Sequence, residues 1–289
     1  MQIQFLQQRK IKMKKILLAG FCLLSFAKAF SQNLQEESSL TKKGKIFVFW
    51  GWNTTGYSKS DIRFKGDGYD FTLKNVSAHD RPTKFTFKDY FGLDNLTIPQ
   101  TNARLGYFIK DNTAIVLGLD HMKYVMDQDQ TVGFEGHISD PQYAAMVNSG
   151  QAVNLRDGQF LTFEHTDGLN YINIGVEKYQ NLSKSKNFNM EFGYGAGLGA
   201  LLPKSNVKLF GNERSDRFHL AGFGADARAS LNAIFLNHIM LRLEGKLGYI
   251  NMPDIKTTLN NKPDKASQDF FFAQANLGIG YIFGVNKKK

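Results

Sequence analysis

Apolar residues recur at every second position through segment after segment of this chain. Near the C-terminus Ala275, Leu277, Ile279, Tyr281 and Phe283 share one parity, and Asn276, Gly278, Gly280 and Gly284 take the other. Over 239–249 the set Ile239, Leu241, Leu243, Leu247 and Tyr249 opposes Arg242, Glu244 and Lys246. Over 221–233 a column of Ala221, Phe223, Ala225, Ala227, Ala229, Leu231 and Ala233 opposes Asp226, Arg228, Ser230 and Asn232. Over 188–199 Phe188, Met190, Phe192, Tyr194, Ala196 and Leu198 oppose Asn189, Glu191 and four alternating glycines. Side chains of a β-strand point alternately to opposite faces, so each segment reads as a two-faced strand. Eight are predicted, near 45–57, 99–110, 113–125, 169–180, 188–200, 220–235, 239–251 and 270–284.

The connections alternate in length. Lys110–Thr113, Asn181–Asn187 and Leu236–His238 are short turns; the stretches 58–98, 126–168, 201–219 and 252–269 are long and polar. Within the first long stretch, Ile62 and Phe64 alternate with Arg63 and Lys65 before Gly66-Asp67-Gly68, after which Tyr69, Phe71 and Leu73 alternate with Asp70, Thr72 and Lys74. This predicts a hairpin with an Asp-Gly turn, extending the first two strands as a ribbon.

The face opposite the apolar one decides the environment. In a soluble sandwich it would meet water and be rich in Lys, Glu and Thr. Here it is often glycine, which suits a narrow interior. Arg242, Glu244 and Lys246 beside Asp226 and Arg228 read as an internal ion-pair ladder across neighbouring strands. An apolar outside and a polar inside, on strands of about 9–11 residues joined by alternating short and long connections, describe a transmembrane barrel. Trp50, Trp52, Tyr107, Tyr194, Tyr249 and Tyr281 are candidates for its interfacial girdles. The predicted fold is all-β: an eight-stranded antiparallel transmembrane β-barrel with long extracellular loops, both termini in the periplasm.

Composition agrees. The chain has 25 Phe and 27 Gly, and no run of apolar residues is long enough for a membrane helix. From Met13 the sequence reads as a secretory signal: Lys14 and Lys15, an apolar stretch Ile16–Phe26, then Ala27-Lys28-Ala29. Met13 is the expected initiator. Residues 1–32 are expected to be the signal region, and 33–289 the barrel. Cys22 is the only cysteine and would leave with the signal, which excludes disulfides and Cys-based metal or redox sites. The net charge of +10 comes from six cations in residues 1–30 and three lysines at the tail. The body is nearly neutral and offers no basic stripe for nucleic acid.

The pattern over about 33–286 resembles the small outer-membrane barrels of the OmpA, OmpX and OmpW types. The resemblance implies outer-membrane lipid and lipopolysaccharide as surroundings, the barrel insertion machinery as a partner, and surface ligands met through the loops. Those families often end on an aromatic residue, whereas here Phe283 is followed by a basic tail.

Candidate chemistry is sparse. His165, with Asp167 two residues on, is similar to the His-x-Ser pair of the outer-membrane lipid A deacylases only at the histidine, because Asp167 stands where their serine would. A carboxylate can orient a histidine but cannot act as the nucleophilic alkoxide. The alternation puts His165 and Asp167 together on the lumen face unless a bulge at Asp167-Gly168 changes parity. His121 carries outward parity at headgroup level, with a pairing to His165 across adjacent strands as its catalytic alternative. The glycines of "GYGAGLG" sit inside a strand, not before a helix, so a dinucleotide loop is rejected. No catalytic residue, metal site or cofactor is expected. The reading is a non-enzymatic barrel with a structural or surface-interaction role; the alternatives are a narrow solute pore and a lipid hydrolase using His165.

Overall fold

The computed structural model describes residues 41–84, 86–91, 99–148, 151–156, 158–213, 217–259 and 263–284. The signal region with Met13 and Cys22, and the tail after Gly284, lie outside the described residues. Fifteen strands follow in chain order: β1 Ile46–Tyr57, β2 Ser60–Gly66, β3 Tyr69–Val76, β4 Ala78–His79, β5 Thr101–Lys110, β6 Thr113–Met126, β7 Thr131–Ile138, β8 Val147–Asn148, β9 Ala152–Asn154, β10 Leu161–Lys184, β11 Phe188–Pro203, β12 Asn206–Leu209, β13 Gly222–Phe235, β14 Ile239–Lys256 and β15 Lys265–Phe283.

Eight of them close a ring in the order β1-β5-β6-β10-β11-β13-β14-β15, and β15 pairs back onto β1. Every pairing in the ring is antiparallel, for example Val48 opposite both Tyr281 and Leu105. These are the eight strands expected from the period-two pattern. Leu105, Ile115, Leu117, Ile172, Ile174, Leu198, Leu243, Leu277 and Ile279 remain exposed on the outer wall. With every strand edge paired and an apolar belt outside, the ring is built to stand in lipid.

The long connections depart from the expectation of polar loops. They carry β2, β3, β4, β7, β8, β9 and β12, and the ends of β10, β14 and β15 run beyond the apolar belt. β2 pairs with β15, β3 with β2 and β7 with β3, while β12 and β4 pair with the upper parts of β10 and β6. The Asp-Gly hairpin forms where expected, with Gly68 at φ +75° in the left-handed region that favours glycine. It continues β1 along β15; the second barrel strand, β5, takes no part in it. Together these segments form a head with its own core. Phe64 stacks on Phe71 at 5.3 Å and Phe71 on Phe134 at 5.2 Å, over Phe160, Phe163, Tyr124 and Phe270. The head forms because segments such as Val132-Gly133-Phe134, outside lipid, can bury their apolar faces only against one another.

Candidate functional site: the lumen and the outer rim

Inside the belt the lumen is layered. At the turn end Phe47, Phe49, Phe108, Val116, Tyr179, Ile234, Met240 and Ile282 form a small apolar plug. Lys42 reaches beneath it to Glu191, its Nζ 2.6 Å from the carboxylate, and lies over the rings of Phe108 and Tyr179. The apolar core of the head closes the other end. Between these lies a charged layer.

That layer matches four carboxylates with four cations. Asp120 on β6 accepts from Arg104 and from Lys246, each at 2.5 Å, and from Asn173 Nδ2 at 3.0 Å. Glu177 on β10 accepts from Arg242 at 2.9 Å and from the Tyr179 hydroxyl at 2.5 Å, and Arg228 Nη1 lies 3.5 Å away. Glu244 on β14 accepts from Arg242 Nε at 3.0 Å, Asn276 Nδ2 at 2.8 Å and Arg104 at 3.3 Å. Asp226 on β13 accepts from Arg228 Nε at 2.8 Å and from the Tyr171 hydroxyl at 3.0 Å. All eight charged side chains are buried.

Asp226, Arg228, Arg242, Glu244 and Lys246 thus all project inward, but not as a ladder across neighbouring strands. The register sets Arg228 opposite Lys246 and Asn232 opposite Arg242, so β13 and β14 offer each other like charges or neutral groups. Each Arg on these strands instead takes the acid two residues away on its own strand and reaches across the lumen to Glu177. Arg104, Asp120 and Glu177 are the participants that the sequence-derived network lacked; their inward parity on β5, β6 and β10 was the available signal. The glycines of β11 make room for the layer. A Cβ at Gly197 would run into Arg228, and one at Gly195 would lie 2.8 Å from Glu177 Cγ.

His165 and Asp167 do not form a pair. Four residue steps from His165 to Leu169 face only two on β6, from Tyr124 to Met122, and Gly168 in this bulge has φ +135°. The bulge keeps His165 inside and turns Asp167 out, where Lys204 Nζ lies 3.3 Å from its carboxylate. The expectation that both share the lumen face is corrected accordingly. His165 does meet a serine. Its Nδ1 lies 2.8 Å from Ser205 Oγ, a contact set by the β10–β12 pairing across forty residues of sequence. Both residues are buried, the imidazole edge-on to Phe163 and tilted against Tyr124. Desolvation alone pushes the His165 pKa down to about 3. A neutral imidazole and a hydroxyl, walled in by aromatic rings, share a buried hydrogen bond.

His121 is not paired with His165. It lies opposite Asn170, and its Nδ1 is 2.8 Å from Asn170 Oδ1 on the outer wall. The girdle aromatics Tyr107, Tyr194 and Tyr281 are exposed, and Trp50, Trp52 and Tyr249 are half-buried. Among the described residues, no group of three or more His, Cys, Asp or Glu side chains converges as metal ligands would.

A closed ring of eight antiparallel strands, lipid-facing outside and charged inside, has the architecture of the small outer-membrane barrels. No family model and no curated protein matches the chain. Among solved structures it is similar to the outer membrane protein OprG of Pseudomonas aeruginosa, at 11% identity over 84% of this chain and 98% of that one, with a TM-score of 0.40. It is similar also to Ail, the attachment invasion locus protein of Yersinia pestis, at 12% identity over 83% and 99%, with a TM-score of 0.32. The N-terminal β-barrel domain of Pseudomonas aeruginosa OprF matches at 11% identity over 83% and 98%, with a TM-score of 0.30.

Proposed function

We propose that the protein is a sealed, non-enzymatic barrel of the outer membrane whose role is to hold a folded head at the cell surface for contact with envelope or external partners. The observation that carries this reading is the charged layer: Asp120, Glu177, Asp226 and Glu244 are satisfied by Arg104, Arg228, Arg242 and Lys246, partly along one strand and partly across the lumen. A solute would have to break several buried ion pairs at once, each costing about 3–5 kcal/mol when one partner is left alone. The head adds a second seal, with Phe64, Phe71, Phe163 and Phe270 over the lumen. What remains accessible is the polar outer face of the head, with pairs such as Arg63–Asp70, Lys74–Asp61 and Arg156–Asp129.

The test is conductance. Purified protein in a planar bilayer should show no stepwise current; sustained openings would overturn the sealed reading in favour of a narrow pore. Incubation with lipid A and phospholipid should release no fatty acid. Release that disappears in His165→Ala would replace the proposal with a hydrolase.

A further inference from the structure

The recess on the outer wall beside the β10 bulge has a composition unlike the rest of the belt. It encloses about 520 Å³ and is lined by His121, Lys123, Thr166, Asp167, Asn170, Lys204 and Phe218. Its height follows from the register. His121 lies opposite Asn170, which lies opposite Leu202, and one pair lower Leu119 lies opposite Ile172, which lies opposite Ala200. The outward column of β6 therefore runs Ile115, Leu117, Leu119 and then changes to His121 and Lys123. That of β10 runs Val176, Ile174, Ile172 and then Asn170. The recess thus opens where hydrocarbon gives way to headgroups, on the side of the barrel that carries the head.

We propose that this recess binds the phosphorylated headgroup of an outer-leaflet glycolipid. Lys123, whose Nζ also donates to Thr83 Oγ1 at 3.0 Å, and Lys204 supply the two cations, while Thr166 and Asn170 supply neutral polar groups. Leu119, Ile172 and Leu202 form the apolar wall along which the acyl chains lie. Lysines at a lipid boundary extend their ammonium groups to the headgroup layer while their stems stay against apolar surface. Phe218, 63% exposed beside Lys204, forms an aromatic lip. The β10 bulge makes the cavity: a Cβ at Gly168 would collide with Asn170 and come 3.0 Å from His121, so only glycine leaves the space open. Among the described lining residues Asp167 is the one carboxylate. Its contact with Lys204 is partly exposed and 3.3 Å long, an exposed pair of the weak kind. A phosphate can take Lys204 from it.

This inference rests on the reading of the head as the outward end, and two separate measurements keep the two apart. Protease shaving of whole cells reports the orientation of the head. Native mass spectrometry of the full protein in detergent reports the lipid. It would be titrated with bisphosphorylated lipid A, with the same lipid after phosphate removal, and with inorganic phosphate as competitor. Retention of the phosphorylated lipid alone is expected, undisturbed by millimolar phosphate. Lys123→Gln/Lys204→Gln should weaken retention by roughly thirtyfold, about a factor of five for each cation. Asp167→Asn should strengthen it, and Lys178→Gln, at the other end of the β10 belt, should leave it unchanged. Heat-modifiable gel migration verifies that each variant is folded. Equal retention of the dephosphorylated lipid, displacement by inorganic phosphate, or indifference to the double substitution would each overturn the site.

Discussion

The barrel and the head share several strands and are inverted with respect to each other. On β6, inward Gly118 and Asp120 are followed, with no change of parity, by inward Met122, Tyr124 and Met126. On β15, inward Asn276 and Gln274 give way to inward Phe272 and Phe270, while the outward column passes from Leu277 and Ala275 to Asp269 and Ser267. The backbone does not register the change; the surroundings do. In the belt the outer face meets hydrocarbon, so apolar side chains there cost nothing, and the interior can be polar provided each charge finds a partner. Above the belt the outer face meets water, and the hydrophobic effect, which has no purchase between wall and lipid, draws the apolar side chains inward. One β-sheet therefore carries two opposite folding codes, with the switch at a single level near Asp120, Tyr171, Lys246 and Gln274.

The strongest way to separate the two halves is to open a cavity in one of them. Phe71 is 1% exposed and packs against Phe64, Tyr69, Phe134, Phe160 and Phe210. Phe71→Ala should destabilise the head by about 3–5 kcal/mol. Hydrogen exchange should then quicken at β2, β3 and β7, while β13 amides and the heat-modifiable migration of the barrel stay as they were. Equal loss of protection at β13 would mean that head and barrel are one cooperative unit and that the boundary between them is only chemical.

A charge placed on the outer face reads the surroundings directly. Leu243 stands 54% exposed on β14; Leu243→Arg should cost about 2–4 kcal/mol near the midplane of the bilayer. Thr131→Arg, on an exposed position of β7 in the head, should stay within about 0.5 kcal/mol. Urea titration of the two variants folded into lipid vesicles measures both. Similar costs would mean that the belt around Leu243 is not in hydrocarbon.

These two tests fall on opposite sides of what the sequence made legible. All eight ring strands could be read because lipid imposes one rule along the whole of their membrane-facing part: Leu241, Leu243 and Leu247 must all face out. The charged interior was visible at Asp226, Arg228, Arg242, Glu244 and Lys246 for the same reason. Their partners were not, because pairing across a lumen depends on register and barrel closure; Arg104 and Lys246 meet at Asp120 only once three strands are in place. The head was largely missed. Its strands are short, Gly133 and Gly136 interrupt β7, and apolar residues such as Val132 and Phe134 are outnumbered by polar neighbours in the stretch 126–168. Only the hairpin around Asp67-Gly68 carried a turn signal strong enough to stand alone. The contact of His165 with Ser205 left no local trace, since it exists only because β12 folds back on β10.

That histidine provides the smallest and most selective test of the comparison, because it places a titratable group in the half of the molecule that tolerates no charge inside. Desolvation among Phe163, Tyr124 and the rest of the head core pushes His165 from 6.5 down to about 3. In the unfolded chain the imidazole takes up its proton near pH 6.5, whereas in the folded head it stays neutral down to about pH 3. Between those values the unfolded state binds the extra proton, so stability falls as the pH falls, by about 1.4 kcal/mol for each unit below 6.5. Above pH 6.5 both states are neutral and the contribution is fully present. Denaturant midpoints of the head at pH 7.0 and 5.5, followed by exchange at β7 and β12, should therefore differ in the native protein. The difference should shrink by one proton's worth in His165→Gln, which keeps a side-chain amide near Ser205 but has nothing to titrate. A slope unchanged by the substitution would mean that water reaches His165 in the folded state, and with it that the head core is open at the very place where a sealed barrel requires it to be closed.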